Sequence, residues 1–149
     1  MDELINRLNK VLADTFVFYL KIQNLHWNLE DPDFYAYHKF TEEIYSEVYG
    51  AVDPIAEHIR AVNGFALGSL AGYVQKTSIL EFNVLPKPLE AFRELYNDNQ
   101  KVINSLMEAF DMAERFREHG LANFLQDRMD SHKKHGWMLR ASFIKGSEE

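Results

Sequence analysis

Five side chains between positions 26 and 57 have the types and spacing of a metal centre: His26, His38, Glu42, Asp53 and Glu57. His38 and Glu42 are four residues apart, and so are Asp53 and Glu57, so each pair shares one face of a helix. Imidazole and carboxylate together suit iron, zinc or manganese better than calcium, which prefers all-oxygen sites. Eleven residues separate Glu42 from Asp53, close to three whole turns, so the four groups form one stripe. At ~1.5 Å rise per residue the two pairs still lie roughly 16 Å apart and cannot hold one ion from one chain. Two copies of the helix packed antiparallel about a two-fold axis would bring the His38/Glu42 end of one against the Asp53/Glu57 end of the other. A two-fold interface makes each contact twice, so such a dimer would own two identical sites.

Four long helices are needed to place these groups. Residues 2–28 read as the first, with Leu4, Leu8, Val11, Leu12, Thr15, Tyr19, Ile22 and His26 at the spacing of a buried face. Asp2 is a candidate cap, and Pro32 stops the helix. The second is expected over 33–62, ended by Asn63-Gly64, with a core stripe of Thr41, Ile44, Val48, Val52, Ile55, Ile59 and Val62. The metal stripe lies about a third of a turn away from it. Pro54 inside this helix should clash with the Gly50 carbonyl and kink the chain beside Asp53. Residues 65–87 lose periodicity, punctuated by Gly64, Gly68, Gly72, Pro86 and Pro88, with a short helix at about 69–75. A connection of about twenty residues suits the single long crossover of a ferritin-like bundle. The third helix is expected over 89–118 and the fourth over 121–144, the latter facing inward with Leu125, Arg128 or Met129, His132, Leu139 and Phe143. The Gly-Ser-Glu-Glu tail is expected to be disordered. The fold class is therefore all-α, one domain spanning 1–149.

The stripe resembles the Dps family, the mini-ferritins. His26-Trp27-Asn28 matches the family's His-Trp-Asn, and Phe34 with His38 its Phe-x-x-x-His. Glu42 stands where the family has Asp or Glu, and Asp53-x-x-Ala56-Glu57 matches its Asp-x-x-Ala-Glu. The similarity runs on through Leu67-Gly68-Ser69-Leu70-Ala71 and Trp137-Met138-Leu139-Arg140-Ala141. One departure is Asp31, where the family usually has Gly. The resemblance implies a hollow homododecameric cage. It also implies an inter-subunit ferroxidase centre, with His26, His38 and Glu42 from one subunit and Asp53 and Glu57 from its two-fold mate. Ferrous iron would be oxidised there, by hydrogen peroxide in preference to dioxygen, and stored inside as ferric mineral, which protects DNA from oxidative damage. Trp27 resembles the family tryptophan near the centre, a candidate quencher of stray oxidising equivalents or simply an interface aromatic.

Other readings are narrowed by absences and by charge. Ordinary ferritins and di-iron oxygenases use Glu-x-x-His inside one bundle, and neither Glu-x-x-His nor Asp-x-x-His occurs in the chain. With no cysteine, thiolate zinc and iron–sulfur clusters are excluded. No secretory pattern and no long apolar run is present, which points to a soluble protein, most simply cytoplasmic, with no membrane partner. The net charge of −7 argues against nucleic-acid binding. Twelve copies would carry about −84, attracting cations and repelling duplex. Neither terminus offers a basic arm, since the chain opens Met1-Asp2-Glu3 and closes Gly146-Ser147-Glu148-Glu149. The alternatives to a ferroxidase are a DNA-compacting protein with vestigial iron chemistry and a metal-free interaction bundle. A second metal site at His119, His132 and His135 is a further candidate.

Overall fold

The computed structural model describes residues 1–148, and side chains as far as Ile144. The long helices are α1 (Asp2–Asn28), α2 (Phe34–Gly50) with α3 (Val52–Ala61), α5 (Pro88–Arg115) and α6 (His119–Glu148), and α4 (Leu70–Lys76) lies in the crossover. The first helix matches its expected span. Leu4, Leu8, Val11, Leu12, Phe18, Ile22 and Leu25 are fully buried along one side, so the apolar stripe faces the core of the bundle. Asp2 does not act as a side-chain cap; Asp2 and Glu3 lie in the first turn, where a negative charge meets the helix dipole. The turn that follows closes through Asp31, whose Oδ1 accepts the Asp33 N–H at 2.9 Å. A short Asx turn thus replaces the glycine, with no left-handed residue in the loop.

The single second helix expected from the sequence is two helices. The chain tightens at Ala51, whose N–H bonds Val48 O at 3.1 Å, and the regular ladder resumes with Ile55 N–H to Ala51 O at 3.0 Å. Pro54 explains the break: it has no N–H for the Gly50 carbonyl and its ring crowds that turn. α3 ends on Asn63 in the left-handed region (φ 71°), followed by Gly64 N–H to Ile59 O at 2.9 Å. A Cβ at Gly64 would lie 2.8 Å from the Ile5 side chain, so a larger residue would have to push it aside.

The crossover is held down by polar side chains of α1. Buried Asp14 accepts from Thr77 Oγ1 and Ser78 N at 2.7 Å each, and from Ser105 Oγ of α5 at 2.5 Å. Lys21 donates to Leu80 O at 2.6 Å, pairs with Asp98 at 2.7 Å and Glu94 at 2.9 Å, and lies over the Phe82 ring. Burial pushes the Asp98 carboxyl up, and Lys21 opposes that shift. Asn9 bonds the backbone of Phe65 and Leu67. Ser69 caps α4, accepting the Gly72 N–H at 3.1 Å.

α5 packs most extensively on α1 and α6, and α2 packs on α1. Phe92, Leu95, Val102, Leu106, Leu125 and Leu139 fill the centre. Arg128, not Met129, is the inward residue of α6. That helix runs through Glu148, into the segment expected to be disordered; Glu149 lies outside the described residues.

Candidate metal centre

The last turn of α1 and the second turn of α2 bring two imidazoles face to face. The rings of His26 and His38 stack with centroids 3.7 Å apart and planes 16° from parallel. Each donates from Nδ1 to the other's backbone carbonyl: His26 to His38 O at 2.8 Å, His38 to His26 O at 2.9 Å. A carbonyl can only accept, so both rings carry the proton on Nδ1. The bond from His38 also serves one of the orphan carbonyls at the end of α1. Among the described residues neither Nε2 has a hydrogen-bond partner, so two lone pairs are left free for a metal. Phe34 stacks on His38 at 5.0 Å, and Tyr45 meets His26 edge-on at 5.0 Å. His26 is buried and His38 half-buried. These ring contacts restrict the orientation of both imidazoles.

Glu42 lies one turn on from His38 and is half-exposed, with Lys39 Nζ 3.7 Å from its carboxylate. Two exposed partners at that distance contribute little, so the carboxylate is available. Asp53 and Glu57 sit one turn apart on α3, both exposed. The Asp53 carboxylate, hydrogen-bonded to Glu57 and repelling it, raises the Glu57 carboxyl above its ordinary value. Two like charges side by side are relieved by a shared proton or by a cation. Trp27 is 59% exposed and lines a hollow beside Leu20 and Phe82.

Within one chain these groups do not converge. Among the described residues no three histidine, aspartate or glutamate side chains gather into a group able to hold a metal ion. The chain presents an imidazole half and a carboxylate half. The donor set of the two halves, with two bare nitrogens and three carboxylates, fits a transition metal.

His119, His132 and His135 do not form a second site. His119 is exposed at the start of α6, near Glu114. His132 is fully buried, its Nδ1 donating to Asn99 Oδ1 at 2.8 Å and its Nε2 accepting from Arg128 Nη2 at 3.2 Å. His135 Nε2 bonds Glu47 Oε1 at 2.7 Å, and Arg128 holds the same carboxylate through both terminal nitrogens. These bonds leave His132 no nitrogen for a metal. Burial, with Arg128 alongside, pushes the His132 imidazole well below its ordinary value; His135 and Arg128 hold the Glu47 carboxyl far below the usual carboxylate range, against the desolvation that opposes them. Glu47 carries no recognisable motif, because its partners Arg128 and His135 lie 81 and 88 residues away.

Comparison with known proteins agrees with this architecture. The model of the ferritin-like domain matches residues 5–146. A low temperature-induced protein of Nostoc sp. is 33% identical over 96% of this chain and 80% of its own. The DNA protection during starvation protein of Brevibacillus brevis is 31% identical over 90% of each chain. The Dps protein of Vibrio cholerae, described as a ferritin-like diiron-carboxylate protein, superposes with a TM-score of 0.89 at 26% identity, over 94% of this chain and 88% of that one. With the domain matched almost end to end and the Brevibacillus relative aligned over nine-tenths of its length, the chain belongs to the Dps family of ferritin-like proteins.

Proposed function

We propose that this protein is a ferroxidase and iron-storage mini-ferritin. In this reading His26, His38 and Glu42 of one subunit and Asp53 and Glu57 of a two-fold mate bind ferrous iron, and twelve subunits close a cage around the ferric product. The observation that carries it is the state of the two halves. Both imidazoles have an unbonded Nε2 in a fixed tautomer, while Asp53 and Glu57 stand exposed side by side, the one carboxylate raising the other. Each half has what the other lacks.

Iron is the substrate. Two ferrous ions give one electron each to one hydrogen peroxide, the O–O bond breaks, and its oxygens leave as water or enter the ferric oxyhydroxide. The side chains bind and orient the ions, and the carboxylates favour the higher ferric charge. Open coordination positions admit the oxidant. Consuming iron and peroxide together suppresses hydroxyl radicals, which is how DNA is protected without being bound. Trp27 is the residue assigned to take up stray oxidising equivalents.

The test is complementation between subunits. His26→Gly with His38→Gly in one variant, and Asp53→Ala with Glu57→Ala in another, should each slow peroxide-driven iron oxidation at least about 100-fold, a loss of ~2.7 kcal/mol of transition-state stabilisation. Both should still assemble. Random reassembly of equal amounts should return about a quarter of the sites, because half the dimers are mixed and each has one intact site. No recovery would show that the halves do not meet across an interface. For DNA, no retardation of plasmid at physiological salt with magnesium chelated is expected, since a net charge of −7 per chain opposes phosphate binding; retardation would favour the DNA-compacting reading.

A further inference from the structure

The core stripe of α2 and α3 holds one polar residue among aliphatic ones: Thr41, against Ile44, Val48, Val52, Ile55, Ile59 and Val62. Thr41 is 1% exposed, and valine has the same shape without the hydroxyl. A threonine inside a helix gains nothing in propensity and adds a hydroxyl that must be satisfied. Here the hydroxyl is satisfied by a specific arrangement. Oγ1 lies 2.9 Å from Tyr37 O and 3.0 Å from His38 O, so it donates back into its own helix. Its lone pairs face His26 Nδ1 at 3.2 Å. The Nδ1 proton of His26 is therefore shared between two acceptors, the His38 carbonyl at 2.8 Å and the Thr41 hydroxyl.

We propose that Thr41 is a positioning residue for His26: by giving the Nδ1 proton a second acceptor, it holds the ring in the one orientation that turns the bare Nε2 toward the metal. Turning the imidazole over by 180° would place a C–H against both oxygens and break two hydrogen bonds at once. Without the hydroxyl the flip breaks only one. Because Nδ1 sits 12 residues from one acceptor and 15 from the other, the ring also ties α1 to two successive turns of the same face of α2. Outer partners that fix the orientation of a ligating histidine commonly carry 10–100-fold of metal affinity. The inference rests on the reading of His26 as a ligand, so the test separates the two.

Three variants of the assembled protein are compared: Thr41→Val, which keeps the shape; Thr41→Ser, which keeps the hydroxyl; and His26→Gly. Two measurements are made on each, Co2+ binding by equilibrium titration and the imidazole resonances of isotope-labelled histidine in sedimented, metal-free protein. Thr41→Val should weaken Co2+ binding about tenfold, at the lower end of that range, and show a second His26 ring environment. Thr41→Ser should stay within about two-fold of wild type in binding and keep a single ring environment. Unchanged binding and spectrum in Thr41→Val would overturn the proposal. So would equal losses in Thr41→Val and Thr41→Ser, which would assign the effect to packing. If His26→Gly binds Co2+ as wild type does, the ligand reading falls, and the ring spectrum of Thr41→Val alone decides whether Thr41 positions His26.

Discussion

The chain contains two histidine pairs, and they differ in what their nitrogens do. His26 and His38 each commit Nδ1 to a backbone carbonyl and leave Nε2 bare at the edge of the fold. His132 commits both nitrogens, to Asn99 and Arg128, and His135 commits Nε2 to Glu47. The first pair is oriented by groups that cannot compete with a metal for the free lone pair. The second is locked into a core network in which every bond joins α6 to α2 or α5, or runs within α6. His132 has no nitrogen left for a metal, whereas His135 keeps Nδ1 unbonded but is tied through Nε2 to a carboxylate that Arg128 already holds. Burial does not distinguish the two sets, since His26, His132 and His135 are all buried.

The sharpest way to break this contrast is to exchange consequences. Replacing His132 with Ala should destabilise by about 3–5 kcal/mol, combining a cavity with the orphaned Asn99 and Arg128 groups. Thermal unfolding should show it as a fall of roughly 10 °C, with Co2+ affinity unchanged. His26→Ala should lose metal binding at a smaller cost in stability, about 1–2 kcal/mol, because Thr41 Oγ1 keeps its bonds to Tyr37 and His38 and no charged group is orphaned. A large stability loss at His26, or a loss of metal at His132, would erase the distinction.

Acid offers a second, smaller probe. His132 has an ordinary value of 6.5 and a folded value well below it, so under pH 6.5 the unfolded chain takes a proton that the folded chain refuses. Stability then falls as pH drops, by up to about 1.4 kcal/mol per pH unit. Glu47, ordinarily 4.5 and lower when folded, adds to the loss below pH 4.5, in the same direction. Urea titrations between pH 7 and pH 4 should show declining stability, and a His132→Leu variant should show a flatter profile over the upper part of that range. Equal slopes would mean that the core network is not the acid-sensitive element.

The smallest expected effect lies at the carboxylate half. Glu57 is raised by Asp53, so the metal-free fold loses stability as pH rises through that value, when both groups become charged. Asp53→Asn should leave metal-free protein slightly more stable at pH 7 and unable to bind Co2+ tightly. A melting temperature below wild type would show that Asp53 carries a structural role the exposed pair does not suggest.

The sequence by itself determined the helices and the faces they bury, because an apolar stripe recurs locally and needs no knowledge of its partner. It also determined the candidate ligands, since His38/Glu42 and Asp53/Glu57 share faces through a spacing of four. It located the disturbance that Pro54 causes, although not the full break at Ala51, which depends on how the turn relaxes. Tertiary structure alone decided what each polar group meets. No local pattern assigns Asp14 or Lys21 a partner, yet they anchor the crossover 63 and 59 residues away. Thr41 reads as a core residue and Glu47 as a surface carboxylate until His26 in one case, Arg128 and His135 in the other, are placed beside them. The reason is that a hydrogen bond depends on distances of tenths of an ångström between residues far apart in the chain. Helical periodicity fixes only which side of a helix a residue occupies.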